Sequence, residues 1–263
     1  MKKLMAMLLV VVMMVALFAG CKPAAGEKTD SEWVKENGKL IVGMTSFEPM
    51  DFQDKNGDWV GYDAELATKF AESLGVEVEF QVITWSNKVN DLNDKNIDIV
   101  WNGMTLTDEA KAAMSCSNPY LNNAQVVVVK KSNAQKYATK EALAGARFAA
   151  EQGSAGADEA LLLDSDTNLV ENQAAALMEV DADTSDAAVI DLLMADAMIG
   201  EGTAYPDLVD TVKLTTEQYG IGMRKGSDLV DDLNAFLKKM YEDGTMEALA
   251  KKYRVREEMI IPQ

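Results

Sequence analysis

The chain has 263 residues, with 43 acidic and 25 basic side chains, a formal net charge of −18 and no histidine. Such acidity is an ordinary means of staying soluble, and it argues against a nucleic-acid partner, because binding nucleic acid requires basic patches that neutralise phosphates. The lack of histidine excludes a histidine-based catalytic triad and a histidine-ligated zinc site.

The first 20 residues have the pattern of a secretory signal peptide. Lys2 and Lys3 precede an apolar run, which ends in small residues before Cys21. The segment Leu17 to Cys21 resembles a bacterial lipobox, whose cysteine becomes the lipidated first residue of the mature protein. A membrane-spanning helix, which needs roughly 20 apolar residues, is the less favoured alternative. We therefore expect removal of residues 1–20 and an extracytoplasmic protein anchored to the cell membrane by its lipid.

Residues 21–37 are polar and carry no periodic apolar pattern, so we expect a flexible, lipid-anchored linker there. The rest of the chain is long enough for two modest lobes, and it contains no second apolar span. Once Cys21 is lipidated only Cys116 remains, so no intrachain disulfide is expected. We expect a monomer.

From Lys39 onward, strand-length apolar runs alternate with helix-length amphipathic stretches, which is the pattern of an α/β fold with largely parallel sheets. The predicted elements of the first lobe are a strand at Leu40–Met44, a helix at Tyr62–Leu74, a strand at Val76–Ile83, a helix at Ser86–Asn93 and a strand at Ile97–Trp101. A further short helix starts near Thr107 or Asp108. This part of the chain therefore predicts a βαβαβ lobe.

A strand at Gln125–Lys131, with four consecutive valines, carries the chain into a second lobe of the same kind. The elements predicted next are a helix at Thr139–Leu143, a strand at Arg147–Glu151, a helix from Ala155, a strand at Thr167–Glu171, a helix from Gln173 and a strand at Ala187–Asp191. After the apolar stretch Leu208–Leu214, a return strand at Tyr219–Met223 and an amphipathic helix lined by Leu229, Leu233, Phe236 and Met240 complete the first lobe. We therefore assign residues 38–125 and 218–263 to lobe 1 and residues 126–217 to lobe 2.

Two crossings between lobes make a hinge, and the cleft between such lobes is the default place for a ligand. Five motifs along the chain carry a family likeness. They are Phe47-Glu48-Pro49-Met50-Asp51-Phe52, Gly61-Tyr62-Asp63, Trp101-Asn102-Gly103-Met104-Thr105-Leu106-Thr107, Ser117-Asn118-Pro119-Tyr120 and Tyr219-Gly220-Ile221-Gly222. In this order, from about Lys39 to Tyr253, they resemble the polar-amino-acid-binding proteins of ABC importers, solute-binding family 3.

The resemblance implies a two-lobed type II periplasmic-binding-protein fold, each lobe a mainly parallel sheet flanked by helices, with a two-strand hinge. It implies a non-catalytic protein that captures an amino acid or related small amine for an ABC permease, with neither cofactor nor metal. The residues that it places at the ligand are Phe47, Trp85, Asn102, Gly103, Thr105, Glu151, Ser154 and Asp191.

Each of these roles has a plainer structural alternative. Phe47 and Trp85 pack on the ligand in the family, but both are also ordinary core aromatics. Gly103 and Thr105, on a turn before a helix, offer a backbone group and a hydroxyl to the ligand's charged ends. Asp191 ends a buried strand where the family keeps an acid for the ligand's α-ammonium group. Because an unpaired buried charge is costly, Asp191 needs either that ammonium or a partner within the protein.

The sequence departs from the family at the site that grips the α-carboxylate. Ala110 stands where the family has an arginine, and Lys111 is a poor substitute because one residue along a helix rotates the side chain by about 100°. Ala155 lacks the hydroxyl expected after Ser154. A cleft with Asp191, Glu151, two aromatics and no arginine suits a cation without an α-carboxylate.

Alternatively, backbone N–H groups and Thr105, helped by Lys111, hold the carboxylate of an amino acid at a cost of roughly 1.5–3 kcal/mol in affinity. The enzyme alternative is a dehydratase or lyase on the same scaffold, with Glu151 or Asp191 as general acid. A sensor that acts through a separate partner protein is a third alternative. The sequence identifies neither the solute nor the permease.

Overall fold

The computed structural model describes residues 28–164 and 166–262. The predicted signal peptide, the lipid anchor at Cys21 and the first part of the linker lie outside these residues. Within them, no helix combines the length and the apolar character that crossing a membrane requires.

Strands and helices alternate along most of the described chain. The strands are β1 (Lys39–Met44), β2 (Phe52–Gln53), β3 (Trp59–Val60), β4 (Glu77–Val82), β5 (Ile99–Thr105), β6 (Ser115–Cys116), β7 (Leu121–Asn123), β8 (Gln125–Lys130), β9 (Phe148–Glu151), β10 (Asn168–Val170), β11 (Ala187–Asp191), β12 (Leu208–Lys213) and β13 (Glu217–Met223). The α-helices are α1 (Asp30–Asn37), α2 (Tyr62–Leu74), α3 (Lys88–Asn93), α4 (Asp108–Ala113), α5 (Ala155–Leu163), α6 (Gln173–Asp181), α7 (Leu192–Met198), α8 (Leu229–Glu242) and α9 (Thr245–Lys252).

Most strands form one sheet in each lobe, and β2 and β3 pair as a separate two-stranded sheet. In lobe 1 the order is β4-β1-β5-β13-β6, with β7 also paired to β13, and in lobe 2 it is β10-β9-β11-β8-β12. The predicted two-lobed α/β class is confirmed. The sheets are mixed rather than mainly parallel, because the long return strands β8 and β13 each pair antiparallel with their neighbours.

The chain crosses between the sheets twice, between β7 and β8 and between β12 and β13. The two crossings lie side by side, since the Leu214 N–H donates to the Gln125 carbonyl at 2.8 Å. Strands β8 and β13 each start one residue before the predicted lobe boundary, and the boundaries themselves remain a prediction. Apolar packing is continuous across this junction, because one cluster contains both Trp101 of lobe 1 and Val128 of lobe 2, each fully buried.

Two predicted elements differ from the structure. The strand predicted at Ile97–Trp101 runs on to Thr105, because β13 pairs Tyr219 with Thr105. The motif around Gly103 therefore lies in a strand and not in a turn, although Gly103 itself has a φ of 55°. The helix predicted at Thr139–Leu143 is only a 3-10 turn, Glu141–Leu143, which offers a single buried side chain.

The linker prediction is wrong from residue 30 onward, because the chain there forms helix α1. Thr29 and Glu32 make a capping box, in which each side chain accepts a hydrogen bond from the other's backbone N–H. Val34 is fully buried, and Asp30 forms a buried ion pair with Arg224 at 2.7 Å. These contacts fix the helix to lobe 1.

Candidate functional site

A cavity of about 200 Å³ lies between the two lobes. All eight residues that the resemblance places at the ligand line it: Phe47, Trp85, Asn102, Gly103 and Thr105 from lobe 1, and Glu151, Ser154 and Asp191 from lobe 2. The structure therefore brings the predicted set together, and their contact with a ligand remains a prediction. Strands β5, β9 and β11 deliver five of the eight from their carboxyl-terminal ends, which face the cleft.

The two aromatic side chains are almost completely buried in the wall of lobe 1. Phe47 packs edge-to-face on Tyr219, with ring centroids 6.3 Å apart. A Cβ atom at Gly103 would lie 2.5 Å from the Phe47 ring, so only glycine fits under this aromatic. Trp85 begins a 3-10 turn after β4 and carries the Lys88 ammonium 4.6 Å from its ring centroid. Both rings serve as core residues and as cavity wall.

The polar groups of β5 are already engaged as donors. The Gly103 N–H donates to Asp63 Oδ2 at 2.7 Å, and the Thr105 hydroxyl donates to Glu217 Oε1 at 2.8 Å. The side chain of Asn102 bonds to Thr45 and to Asp51. An anionic ligand group therefore finds no free donor in these three hydrogen-bonding groups, while the Thr105 oxygen can still accept.

Glu151 brings a buried carboxyl group from the end of β9. It is 3% exposed, and its Oε1 has no hydrogen-bond partner among the described residues. Burial raises the pKa of Glu151 to about 8, and the nearby Lys88 ammonium limits that rise. Ser154 caps helix α5 by accepting from the Ala157 N–H at 3.0 Å, which leaves its own hydroxyl proton for another acceptor.

Asp191 has several partners within the protein, which supports the structural alternative for this residue. Its Oδ1 accepts from Asn123, from Gln125 at 2.9 Å and from the Tyr219 hydroxyl at 2.8 Å, and its Oδ2 accepts from Gln173. An ionised carboxylate has about four acceptor positions, so Oδ2 retains room for one more donor. A ligand ammonium can therefore be accommodated but is not needed to satisfy the group.

Glu217 joins this network, and sequence reasoning missed it. Its Oε1 accepts from Asn123 at 2.7 Å and from Gln125 at 2.9 Å, in addition to the Thr105 hydroxyl. Burial, together with the charge of Glu217, raises the pKa of Asp191 well above its usual range. The two acids thus share amide donors at the crossing between lobes. No sequence motif marks Glu217, because its position follows only from the pairing of β13 with β7.

The missing arginine leaves a short side chain in the cavity wall. Ala110, at position 110, lines the cavity, whereas Lys111 is exposed and does not. Among the described residues that line the cavity, Lys88 is the single basic one. Its Nζ donates to the Trp85 carbonyl at 3.3 Å and, across the cleft, to the Gly153 carbonyl at 3.1 Å. No sequence pattern indicated that Lys88 would line the cavity, because it belongs to a short polar helix.

The lobes touch beside Lys88. Gly153 has a φ of 77°, and a Cβ atom there would lie 2.8 Å from Ser86 Cα. The turn after β9 therefore packs directly on the turn that precedes α3. Across the described ranges, no group of three or more His, Cys, Asp or Glu side chains is arranged to hold a metal ion.

Two mixed sheets, two adjacent crossings and a cavity lined from both sides define a two-lobed binding protein of the type II class. The chain matches the family model of bacterial extracellular solute-binding proteins, family 3, over residues 40–256. It belongs to this family, which confirms the resemblance seen in the motifs.

Several similar proteins are named for the amino acids that they bind. The chain is 32% identical to the L-cystine-binding protein TcyJ of Escherichia coli (strain K12) over 260 residues, covering 92% of each chain. It is 30% identical to the arginine-binding extracellular protein ArtP of Bacillus subtilis (strain 168) over 228 residues, covering 82% of this chain and 86% of ArtP. The solved structure of the P235GK mutant of ArgBP from T. maritima is similar with a TM-score of 0.78 at 33% identity, covering 86% of this chain and 99% of that one.

Proposed function

We propose that the protein is the lipid-anchored, extracytoplasmic binding component of an ABC importer and that it captures an amino acid or a related small amine. The observation that carries this proposal is the cavity, which both lobes line and which presents mainly acidic acceptors. Relatives that are named as cystine-binding and arginine-binding proteins support an amino acid as the class of ligand.

The lining of the cavity supports an amino group on the ligand better than it supports a carboxylate. Glu109, Glu151, Asp158 and Asp191 all line the cavity, against Lys88 as its one described base. The buried Glu151 Oε1 lacks a donor, and Asp191 Oδ2 has room for another. A ligand ammonium supplies donors to such groups, and the Phe47 ring favours a cation as well, whereas the Lys88 ammonium already lies over the Trp85 ring.

Capture proceeds by hinge closure. The two crossings between the sheets are adjacent and hydrogen-bonded to each other, so a small change in their backbone angles swings lobe 2 relative to lobe 1. A solute that contacts Thr105 on one lobe and Glu151 on the other is bound more tightly when the lobes approach. The ligand thereby shifts the population toward the closed form, which the permease then receives.

A cationic amine without an α-carboxylate is the second candidate ligand. The observations that favour it are the alanine at position 110 and the engaged donors of Gly103 and Thr105. The dehydratase or lyase alternative has the raised pKa of Glu151 in its favour, and no nucleophile paired with a base is found among the described residues that line the cavity.

The test is thermal unfolding of the purified protein against the proteinogenic amino acids plus cystine, and against the corresponding amines that lack the carboxylate. A ligand that binds only the folded state raises the melting temperature by mass action. We expect a concentration-dependent shift with at least one solute. If neither panel shifts the transition, and calorimetry shows no heat of binding, the proposed function is wrong.

A further inference from the structure

Lys88 is a cation at the wall of the candidate ligand cavity that the family motifs do not identify. It stands at the start of α3, in lobe 1, and is partly buried. Its ammonium bonds to two carbonyl groups, which leaves the third of its three donors free, and it forms no ion pair with any described carboxylate. A partly buried ammonium without a carboxylate partner is costly.

Glu151 is the complementary case on the other lobe. Its carboxyl group is buried, lines the same cavity and keeps one oxygen without a donor. The two groups interact electrostatically but do not touch as an ion pair. A basic group and an acidic group therefore reach the same cavity from opposite lobes, each with an unused hydrogen-bonding position.

We propose that Lys88 receives the carboxylate of the bound solute while Glu151 receives its ammonium group, so that the protein selects a zwitterion. This inference rests on the proposed function and decides between its two candidate ligands. Lys88 takes the place of the missing arginine, although it comes from a different helix. Ala110 makes this arrangement possible, because its short side chain leaves the adjoining part of the cavity open to the ligand's carboxylate.

The position of the pair also links ligand recognition to closure. Lys88 already bonds across the cleft to the Gly153 carbonyl, two residues after Glu151. A zwitterion between the two groups would connect the lobes, because its carboxylate would pair with Lys88 of lobe 1 and its ammonium group with Glu151 of lobe 2. An amine without a carboxylate would satisfy Glu151 and leave Lys88 unpaired.

The experiment compares each solute that binds with its decarboxylated counterpart, such as L-arginine with agmatine or L-lysine with cadaverine, by isothermal titration calorimetry. Wild-type protein is measured beside Lys88→Met, which keeps the length of the side chain and removes its charge. Lys238→Met is the matched control, because Lys238 is exposed on helix α8 and does not line the cavity.

We expect wild type to bind the amino acid more tightly than its amine. Lys88→Met should lose at least about tenfold of affinity for the amino acid and little for the amine, while Lys238→Met leaves both unchanged. Equal or tighter binding of the amine by wild type overturns the inference and leaves the proposed function standing, and this comparison does not depend on the folding of any variant. Equal losses for both solutes in a folded Lys88→Met protein also overturn it, since Lys88 then serves the lobes rather than the carboxylate. Binding of neither panel by wild type rejects the proposed function itself.

Discussion

The hydroxyl of Tyr219, on a strand of lobe 1, donates a 2.8 Å hydrogen bond to Asp191, on a strand of lobe 2. Both residues are buried at the crossing between the lobes, directly beside the cavity. A carboxylate that the resemblance assigns to the ligand therefore also holds the two halves of the protein in register.

Tyr219→Phe keeps the ring that packs on Phe47 and removes only this donor. Loss of this donor leaves a buried carboxyl oxygen with one hydrogen bond fewer, so we expect the free energy of unfolding to fall by about 1–3 kcal/mol. Chemical denaturation measures it. Tyr241→Phe is the control, because the Tyr241 hydroxyl makes no hydrogen bond to another described residue, and a change as large there would contradict the assignment.

Binding of a cationic solute should depend on pH through Glu151. The groups that face its carboxyl include Lys88, Thr45 and Gln173, and Asp158 lies in the same cavity. Because the pKa of Glu151 is raised to about 8, the ligand-free protein holds a proton there at neutral pH, and an ammonium ligand must displace it. Affinity should therefore rise by up to about tenfold per pH unit from pH 6 to pH 8 and then level off.

Calorimetry at several pH values, in buffers with different heats of ionisation, measures both this affinity and the released proton. Glu151→Gln should bind more weakly and lose most of the pH dependence. An unchanged slope in the Gln variant would assign the proton to another acid of the cavity, such as Asp191.

Stability without ligand should fall as the pH rises, partly through Asp63. Burial raises the pKa of Asp63 from 3.8 to about 7, although Tyr120 and the Gly103 N–H both donate to it. Between these two values the folded protein keeps a proton that the unfolded chain has released. The free energy of unfolding therefore decreases through this window, by up to about 1.4 kcal/mol per pH unit, and this contribution is constant above pH 7.

Asp63→Asn imitates the protonated group and should reduce that slope, which denaturation curves from pH 4.5 to pH 8 would show. The exposed Asp231→Asn serves as the control. Equal slopes in Asp63→Asn and wild type would mean that Asp63 is ionised in the folded protein across the whole range.

Arg224 anchors the first helix, and its loss should be severe. Its guanidinium pairs with Asp30 and Asp98 in the interior and also donates to the Leu92 and Ile97 carbonyls. Arg224→Met leaves these two buried acids without a basic partner, so we expect the free energy of unfolding to fall by about 3–5 kcal/mol.

The matched comparison is Arg147→Met, which removes an exposed pair with Asp186 and should cost about 0–1 kcal/mol. Denaturant titration of both variants measures the difference. Similar small losses for the two arginines would show that α1 contributes little to lobe 1.

The sequence was sufficient to predict the two lobes and the set of residues around the cavity, because buried strands and their polar ends leave a clear pattern. It was not sufficient for α1, whose eight residues bury only Val34 among their apolar side chains, although the capping residues Thr29 and Glu32 were visible. Helix α7 was also missed, because it follows β11 directly after Asp191 and no turn separates the two elements.

The rest of the site depends on contacts between distant segments, which no local pattern encodes. Lys88 and Gly153 lie 65 positions apart, and Asn123 and Glu217 lie 94 apart. The motif of β5 predicted donors for a ligand, yet Asp63 and Glu217 already occupy two of them. Partners for polar groups become known only when the chain is folded.

The contact between Gly153 and Ser86 has a consequence for the extent of closure. Because a Cβ atom at residue 153 would lie only 2.8 Å from the Ser86 backbone, even one methyl group there would act as a spacer between the lobes. The side chain at this position therefore sets the smallest gap to which that edge of the cleft can narrow. A larger side chain at residue 153 would leave the cavity residues in place but would prevent the cleft from closing fully. Substitution at this position can therefore separate solute binding from delivery of the solute to a permease.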